Sequence, residues 1–257
     1  AHVINFVQND HTIVHDYTEI SNNNLTDSNN VFTLTNGTTG GVDANTNAYW
    51  ELDNALTDSS GNSHTVTNPS SKVTFSTSAK IGTHCASFNG TNAYLSLSDD
   101  AHFDLSGKIW TIDLYVKITS LSVDQPIYYQ TTASDNDSFK IYVTSGGAVT
   151  LLIKASASAV VTLATAAATV KTGSWYHIEV SQNNTAYYIF VNGSLSAYTT
   201  DAQYPANYTG DILIGKGSAN YFSGLMDNIR VSVGVIRHTS TFTPPTTTYY
   251  TTASTSI

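Results

Sequence analysis

Residues 109–118 constrain the fold more than any other stretch of the chain. Trp110, Ile112, Leu114, Val116 and Ile118 alternate with Thr111, Asp113, Tyr115 and Lys117. Successive side chains of a strand point to opposite faces, so this period of two requires a strand with one face in a core and the other turned outward. Phe139, Ile141 and Val143 repeat the pattern, as do Tyr176, Ile178 and Val180, and later Ile229 and Val231. Asn89-Gly90, Gly146-Gly147 and Asn192-Gly193 punctuate these runs as tight turns. Pro244-Pro245 ends the series, because neither proline can donate to a ladder. A dozen or so short strands without a convincing helix predict an all-β chain. Antiparallel strands with one wet face predict a two-sheet sandwich.

Composition narrows the possible partners. Only 11% of residues are charged, against about a quarter in ordinary domains, so Thr, Ser and Asn must build the surface. Net charge is -9, and the ten Lys and Arg residues are scattered. Nucleic acid and anionic membranes both require clustered cations, so neither is expected as a partner. No apolar run approaches the ~20 residues of a membrane span. The single Cys85 cannot form an intramolecular disulfide and reads as a small buried filler. Its neighbour His84 is badly placed as a base, since adjacent strand residues face opposite ways.

The chain also carries an ordered series of short motifs. Asp58-Ser59-Ser60-Gly61-Asn62 follows the first strand of the main domain. Asn89-Gly90 leads to Tyr94-Leu95, and Trp110 to Lys117 forms the long strand. Trp175-Tyr176-His177-Ile178, Phe190-Val191-Asn192-Gly193 and Ile212 to Gly215 come next. Gly224 to Val231 and Phe242-Thr243-Pro244-Pro245 close the set. Together they resemble the laminin-G-like, concanavalin A-like jelly-roll superfamily over about 48–246, most closely the versions in bacteriophage structural proteins. The resemblance implies a fold that hosts lectins, adhesins, hydrolases and structural modules alike, so function has to come from the site. It also implies one structural calcium ion tying an early loop to a late strand. Asp58, a carbonyl near Gly61, and Asp227 would supply its oxygens.

Glucanases of this superfamily carry closely spaced carboxylates on one strand as acid and nucleophile. Here the nearest approach is Glu51-Leu52-Asp53, and Leu56 stands where a third carboxylate would be needed. Asp113 and Asp227 have no acidic neighbour at strand spacing. No nucleophile elbow, zinc-binding helix motif or phosphate loop is present. The chain therefore reads as non-enzymatic, with glycoside hydrolysis the least favoured reading.

Two other readings remain. The first is a virion or surface structural protein, such as a phage capsid-decoration, head-fibre or tail-associated subunit. It would be homo-oligomeric, sit beside other virion or surface proteins, and lie on a virion surface or outside the cell. The alternative is a carbohydrate-binding adhesin module. Sugar binding needs exposed rings to stack on pyranose faces and amides to fix hydroxyls. Tyr128, Tyr129, Tyr204, Tyr208 and Tyr221, with Asn207 and Asn220, fall in predicted loops or strand ends and are the candidates.

Residues 1–44 precede the resemblance and read as a β arm for assembly, residues 45–246 as the jelly-roll, and 247–257 as a tail. Val3, Ile4, Phe6, Val7, Ile13, Val14 and Tyr17 make the arm apolar, and an extended segment can add to a neighbour's sheet edge. Deleting 1–44 is expected to leave a folded, monomeric sandwich in sedimentation. A truncated chain that still assembles, or that fails to fold, would count against the arm.

Overall fold

Alternating residues become strands throughout the computed structural model, which describes residues 42–132 and 135–249 in full, the side chain of Ser70 apart. Strands at 2–8, 11–17, 23–28, 31–36 and 255–256 are described by their backbone pairing alone. In chain order the strands are β1 (His2–Gln8), β2 (His11–Tyr17), β3 (Asn23–Ser28), β4 (Val31–Asn36), β5 (Thr46–Trp50), β6 (Thr74–Ser76), β7 (Cys85–Asn89), β8 (Leu95–Leu97), β9 (Trp110–Ile118) and β10 (Gln125–Thr131). There follow β11 (Ser138–Val143), β12 (Val149–Ala155), β13 (Ser158–Ala164), β14 (Trp175–Gln182), β15 (Ala186–Val191), β16 (Ser194–Thr200), β17 (Ile212–Ile214), β18 (Ser223–Val233) and β19 (Thr255–Ser256). Among the described residues the only helical turns are 3-10 turns at Pro69–Ser71 and Ala101–Phe103. No helix there is long and apolar enough to cross a membrane.

Two units emerge, residues 1–41 with 250–257, and residues 42–249. In the first, β1 and β2 form an antiparallel hairpin, and β19, β4 and β3 form a three-stranded sheet. The apolar side chains expected to drive assembly, from Val3 to Tyr17, lie outside the described residues.

The second unit is an antiparallel two-sheet sandwich. One sheet runs β13-β12-β11-β10-β17-β8, and the other β16-β15-β14-β9-β18-β7-β6 with β5 also paired to β18. Trp110, Ile112, Leu114 and Val116 from β9 meet Phe139, Ile141, Leu151 and Ile153 from the opposite sheet in one buried core. Burying each such side chain contributes about 1.5–3 kcal/mol. Asn192 and Gly193 both take positive φ, the geometry of a tight hairpin between β15 and β16. A Cβ on Gly193 would also sit 1.9 Å from the Phe242 carbonyl, so only glycine fits there.

One expectation needs correcting. The outward residues of β9 are not wet: Thr111 and Asp113 are fully buried and Tyr115 nearly so. Residues 234–249 lie across this face of the larger sheet as a strap. Phe242 N–H donates to the Gly193 carbonyl, Tyr115 Oη to the Pro245 carbonyl, and Tyr249 Oη to Asp113 at 2.6 Å. Beneath the strap, Arg230 Nε donates to Asp113 at 2.8 Å, and its guanidinium lies 3.9 Å from the Tyr249 ring centre. Alternation tells which residues leave the core. It does not tell what else covers them.

Burial opposes the Asp113 charge, but the Arg230 guanidinium overrides it and holds the carboxyl well below the usual range. Removing one member of a buried pair strands the other charge and costs about 3–5 kcal/mol. Asp113→Ala is expected to lower stability by that order in urea unfolding. Because the folded pKa is depressed, the contribution is complete above the unfolded value of about 3.9 and disappears as pH falls below it. Asp113→Asn should therefore flatten the acid limb of a stability–pH curve below about pH 4. An unchanged limb would contradict the pairing.

Candidate functional site

The strap covers the outer face of the larger sheet over β9, β14 and β18, whereas no such strap crosses the outer face of the six-stranded sheet among the described residues. Register decides its residues. Tyr129 of β10 lies opposite Lys140 of β11 and Leu213 of β17, and Lys140 lies opposite Leu152 of β12. Tyr128 is opposite Ile141 and turns into the core, packed edge-on to Phe139. A cleft of about 230 Å³ opens on the outer side, lined by Tyr129, Lys140, Tyr142, Leu152, Ser218 and Asn220 among others. The tight turn from Lys216 to Tyr221 forms one wall, closed by the Gly217 N–H to Asn220 carbonyl bond.

Ion pairing stiffens this face. Asp135 accepts from Lys140 at 2.7 Å, from Lys154 at 3.2 Å, and from Tyr129 Oη at 2.9 Å. Partial burial works against the Asp135 charge, yet Lys140, Tyr129 and Lys154 hold its carboxyl below the ordinary range. Burial and the bond to Asp135 push the Tyr129 hydroxyl up to about 12, so it stays a neutral donor. Lys140 Nζ also lies 5.0 Å above the Tyr129 ring. At the rim, Lys216 Nζ sits 4.3 Å from the Tyr94 ring centre, and Tyr94 and Tyr221 lie 6.1 Å apart. Tyr94, Tyr142 and Tyr221 are all half-exposed.

The seven sequence-derived candidates separate. Tyr129 and Asn220 line the cleft and Tyr221 stands at its rim. Tyr128 also borders the cleft, but its ring is buried and so presents no face to a ligand. Tyr208 is likewise a core residue. Tyr204 and Asn207 lie in the loop between β16 and β17 and do not line the cleft; the Tyr204 hydroxyl meets Asn184. Sequence reasoning missed Tyr142 and Tyr94. Tyr142 was legible as the outward position between Ile141 and Val143, whereas Tyr94 gave no signal beyond following a turn.

The two carboxylates expected to hold calcium each accept from protein donors. Asp58 accepts from the backbone N–H groups of Tyr49, Ser60 and His64, from Ser60 Oγ, and lies 2.7 Å from His64 Nδ1. It caps the 58–64 turn, with Gly61 at positive φ within it. Asp227 accepts from the Lys80 and Ile81 N–H groups and from Asn228 Nδ2. Among the described residues, the group able to hold a metal is instead His64, Asp100 and His102. Nothing about it specifies calcium.

Asp113 and Glu179 do face each other across β9 and β14. The strap covers both, Arg230 neutralises the first, and His238 Nδ1 lies 2.7 Å from the second. Burial raises the Glu179 pKa even so. Both carboxylates are thereby sealed from solvent and cannot reach a glycosidic bond.

A two-sheet antiparallel sandwich with one sealed face and one open, aromatic face defines a jelly-roll domain of the lectin-like class. Residues 89–239, more than half of the chain, match the family described as the concanavalin A-like lectin/glucanases superfamily, and the chain belongs to it. No curated protein sequence matches it. Among solved structures it is similar to domain 4 of AbnA, a GH43 extracellular arabinanase from Geobacillus stearothermophilus, in complex with arabinotriose. There the identity is 20% and the TM-score 0.59, over 74% of this chain and 92% of that one. It is also similar to the binding domain of Paraclostridial Mosquitocidal Protein 1, at 12% identity and TM-score 0.60, over 76% of this chain and 51% of that one. A third is the ligand binding domain of botulinum neurotoxin serotype D in complex with N-acetylneuraminic acid, at 13% and 0.58, over 73% of this chain and 47% of that one. The chain thus spans about half the length of the two toxin domains. At these identities the likeness is one of fold.

Incubation with a broad polysaccharide panel is expected to release no reducing ends. Turnover that disappears in Asp227→Asn would overturn the non-catalytic reading.

Proposed function

We propose that this domain binds carbohydrate on the open face of its six-stranded sheet, at the cleft between Tyr129, Tyr142 and the Lys216–Tyr221 turn. The observation that carries the reading is that this face combines half-exposed rings with fixed polar groups. Tyr142, Tyr94 and Tyr221 offer flat apolar surface. Asn220, Ser218 and the Lys140–Asp135 pair offer donors and acceptors. Sugars present one apolar ring face and an edge of hydroxyls, which is the complement of such a surface. The cleft is open and smaller than the ~300 Å³ at which drug-sized pockets begin, which suits shallow contact with a short glycan. Complexes of similar folds with arabinotriose and N-acetylneuraminic acid favour the same reading. The particle-subunit reading draws no support from those relatives.

A glycan array carrying arabino-oligosaccharides and sialylated glycans, followed by calorimetry on any hit, tests the proposal. Saturable binding is expected, with Tyr142→Ala and Tyr221→Ala each weakening it about tenfold, roughly 1.4 kcal/mol. A flat array, or a hit indifferent to both variants, would refute binding at this cleft.

A further inference from the structure

We propose that His64, Asp100 and His102 form a binding site for a borderline divalent transition metal, zinc being the natural occupant, with one coordination position open to ligand. The site is separate from the sugar-binding cleft and does not rest on it.

The side chains come from two loops 38 residues apart in sequence. His64 ends the turn that follows β5, while Asp100 and His102 belong to the 3-10 turn after β8. His64 Nε2 lies 3.2 Å from His102 Nδ1, His102 Nδ1 lies 2.7 Å from Asp100 Oδ1, and His64 Nε2 lies 3.9 Å from that same oxygen. Zinc binds nitrogen and oxygen at about 2.0–2.2 Å in tetrahedral geometry, which separates neighbouring donor atoms by about 3.3 Å. The nitrogen pair already has that spacing, and the two nitrogen–oxygen separations bracket it. Small side-chain rotations of the half-exposed Asp100 and His102 complete the set.

A second observation points the same way. His64 is oriented from behind by Asp58, whose buried carboxylate lies 2.7 Å from His64 Nδ1 and also accepts the His64 backbone N–H. With the Asp58 carboxylate accepting at Nδ1, the Nε2 lone pair is aimed at Asp100 and His102. Carboxylate–histidine–metal relays of this kind fix the tautomer and raise the ligand's basicity. The rest of the frame is equally set. The His64 ring packs on Phe103 at 4.7 Å, the Asp100 carboxylate accepts the His102 N–H, and Asn47 Nδ2 donates to the His102 carbonyl.

Donor chemistry selects the ion. Calcium wants six to eight oxygens, whereas two imidazoles and one carboxylate suit zinc, nickel or copper. Three protein ligands leave a fourth position, as in sites that exchange water for substrate. That position faces an open cleft of about 380 Å³ lined by Asn62, Thr65, Leu97, Ser98 and Asp99. The metal would thus bind a water, or a carboxylate brought by a ligand.

The test is calorimetric titration of the chelator-treated full chain with zinc chloride, alongside nitrogen-15 NMR of its histidines. One zinc per chain is expected, with shifts confined to the His64 and His102 ring nitrogens. His102→Ala and Asp100→Asn should each weaken binding at least tenfold while leaving the metal-free melting temperature unchanged, since both side chains are half-exposed. Absence of zinc binding, affinity unaltered in both variants, or shifts restricted to other histidines would each overturn the site. So would calcium displacing zinc at equal concentration.

Discussion

The guanidinium of Arg230, held between Asp113 and the ring of Tyr249, is the interaction on which the rest of the architecture depends. All three groups are buried. A charge taken out of water requires close partners on several sides, and Asp113 of the sheet is one of them. Tyr249 completes the set from the end of the strap. Along the strap's course, Arg237 pairs bidentately with Asp43, and His238 stacks on Phe242 while meeting Glu179. The outer face of the larger sheet thereby becomes a second, polar interior. That enclosure seals the Asp113–Glu179 pair from solvent.

The open face uses the same electrostatic device at the surface. Asp135 gathers Lys140, Lys154 and Tyr129, three side chains from three adjacent strands. Exposed pairs contribute little to stability individually. Their effect here is positional: they hold the rings and polar groups of the cleft at fixed heights on a rigid sheet, the arrangement that reduces ordering cost on binding. The His64 cluster follows the same rule from the loops, with Asp58 organising a turn and orienting a ligand at once.

How far each feature was legible depended on whether it is local. Period-two alternation in β9, β11, β14 and β18 exposed the strands and their core faces, because burial on one side leaves a signature every second residue. The Asn192-Gly193 turn was legible because few residues tolerate positive φ. Cys85 was legible as an inert filler; it is fully buried, and burial pushes its thiol up to about 12. Tyr129, Asn220 and Tyr221 were reachable as aromatic and amide residues near turns. Tyr128 shows the limit of that reasoning. A bulge between Pro126 and Tyr128 shifts the register and sends its ring into the core. A second irregularity, at Asn228 in β18, re-aims Arg230 toward Asp113. Neither has a local sign, since a bulge is defined by the partner strand.

From the sequence alone follow the all-β class, the antiparallel sandwich, the ordered series of superfamily motifs and the absence of clustered cations, all of which reside in neighbouring residues or in composition. Tertiary structure alone decided which parts of the outward faces are covered, that Asp58 and Asp227 accept from backbone donors, and that His64 meets His102, 38 positions further along the chain. The physical reason is the same in each case. Strand periodicity specifies which way a side chain points. What it meets there is set by strand register, by loop closure and by a C-terminal strap that crosses the sheet more than a hundred residues after β9.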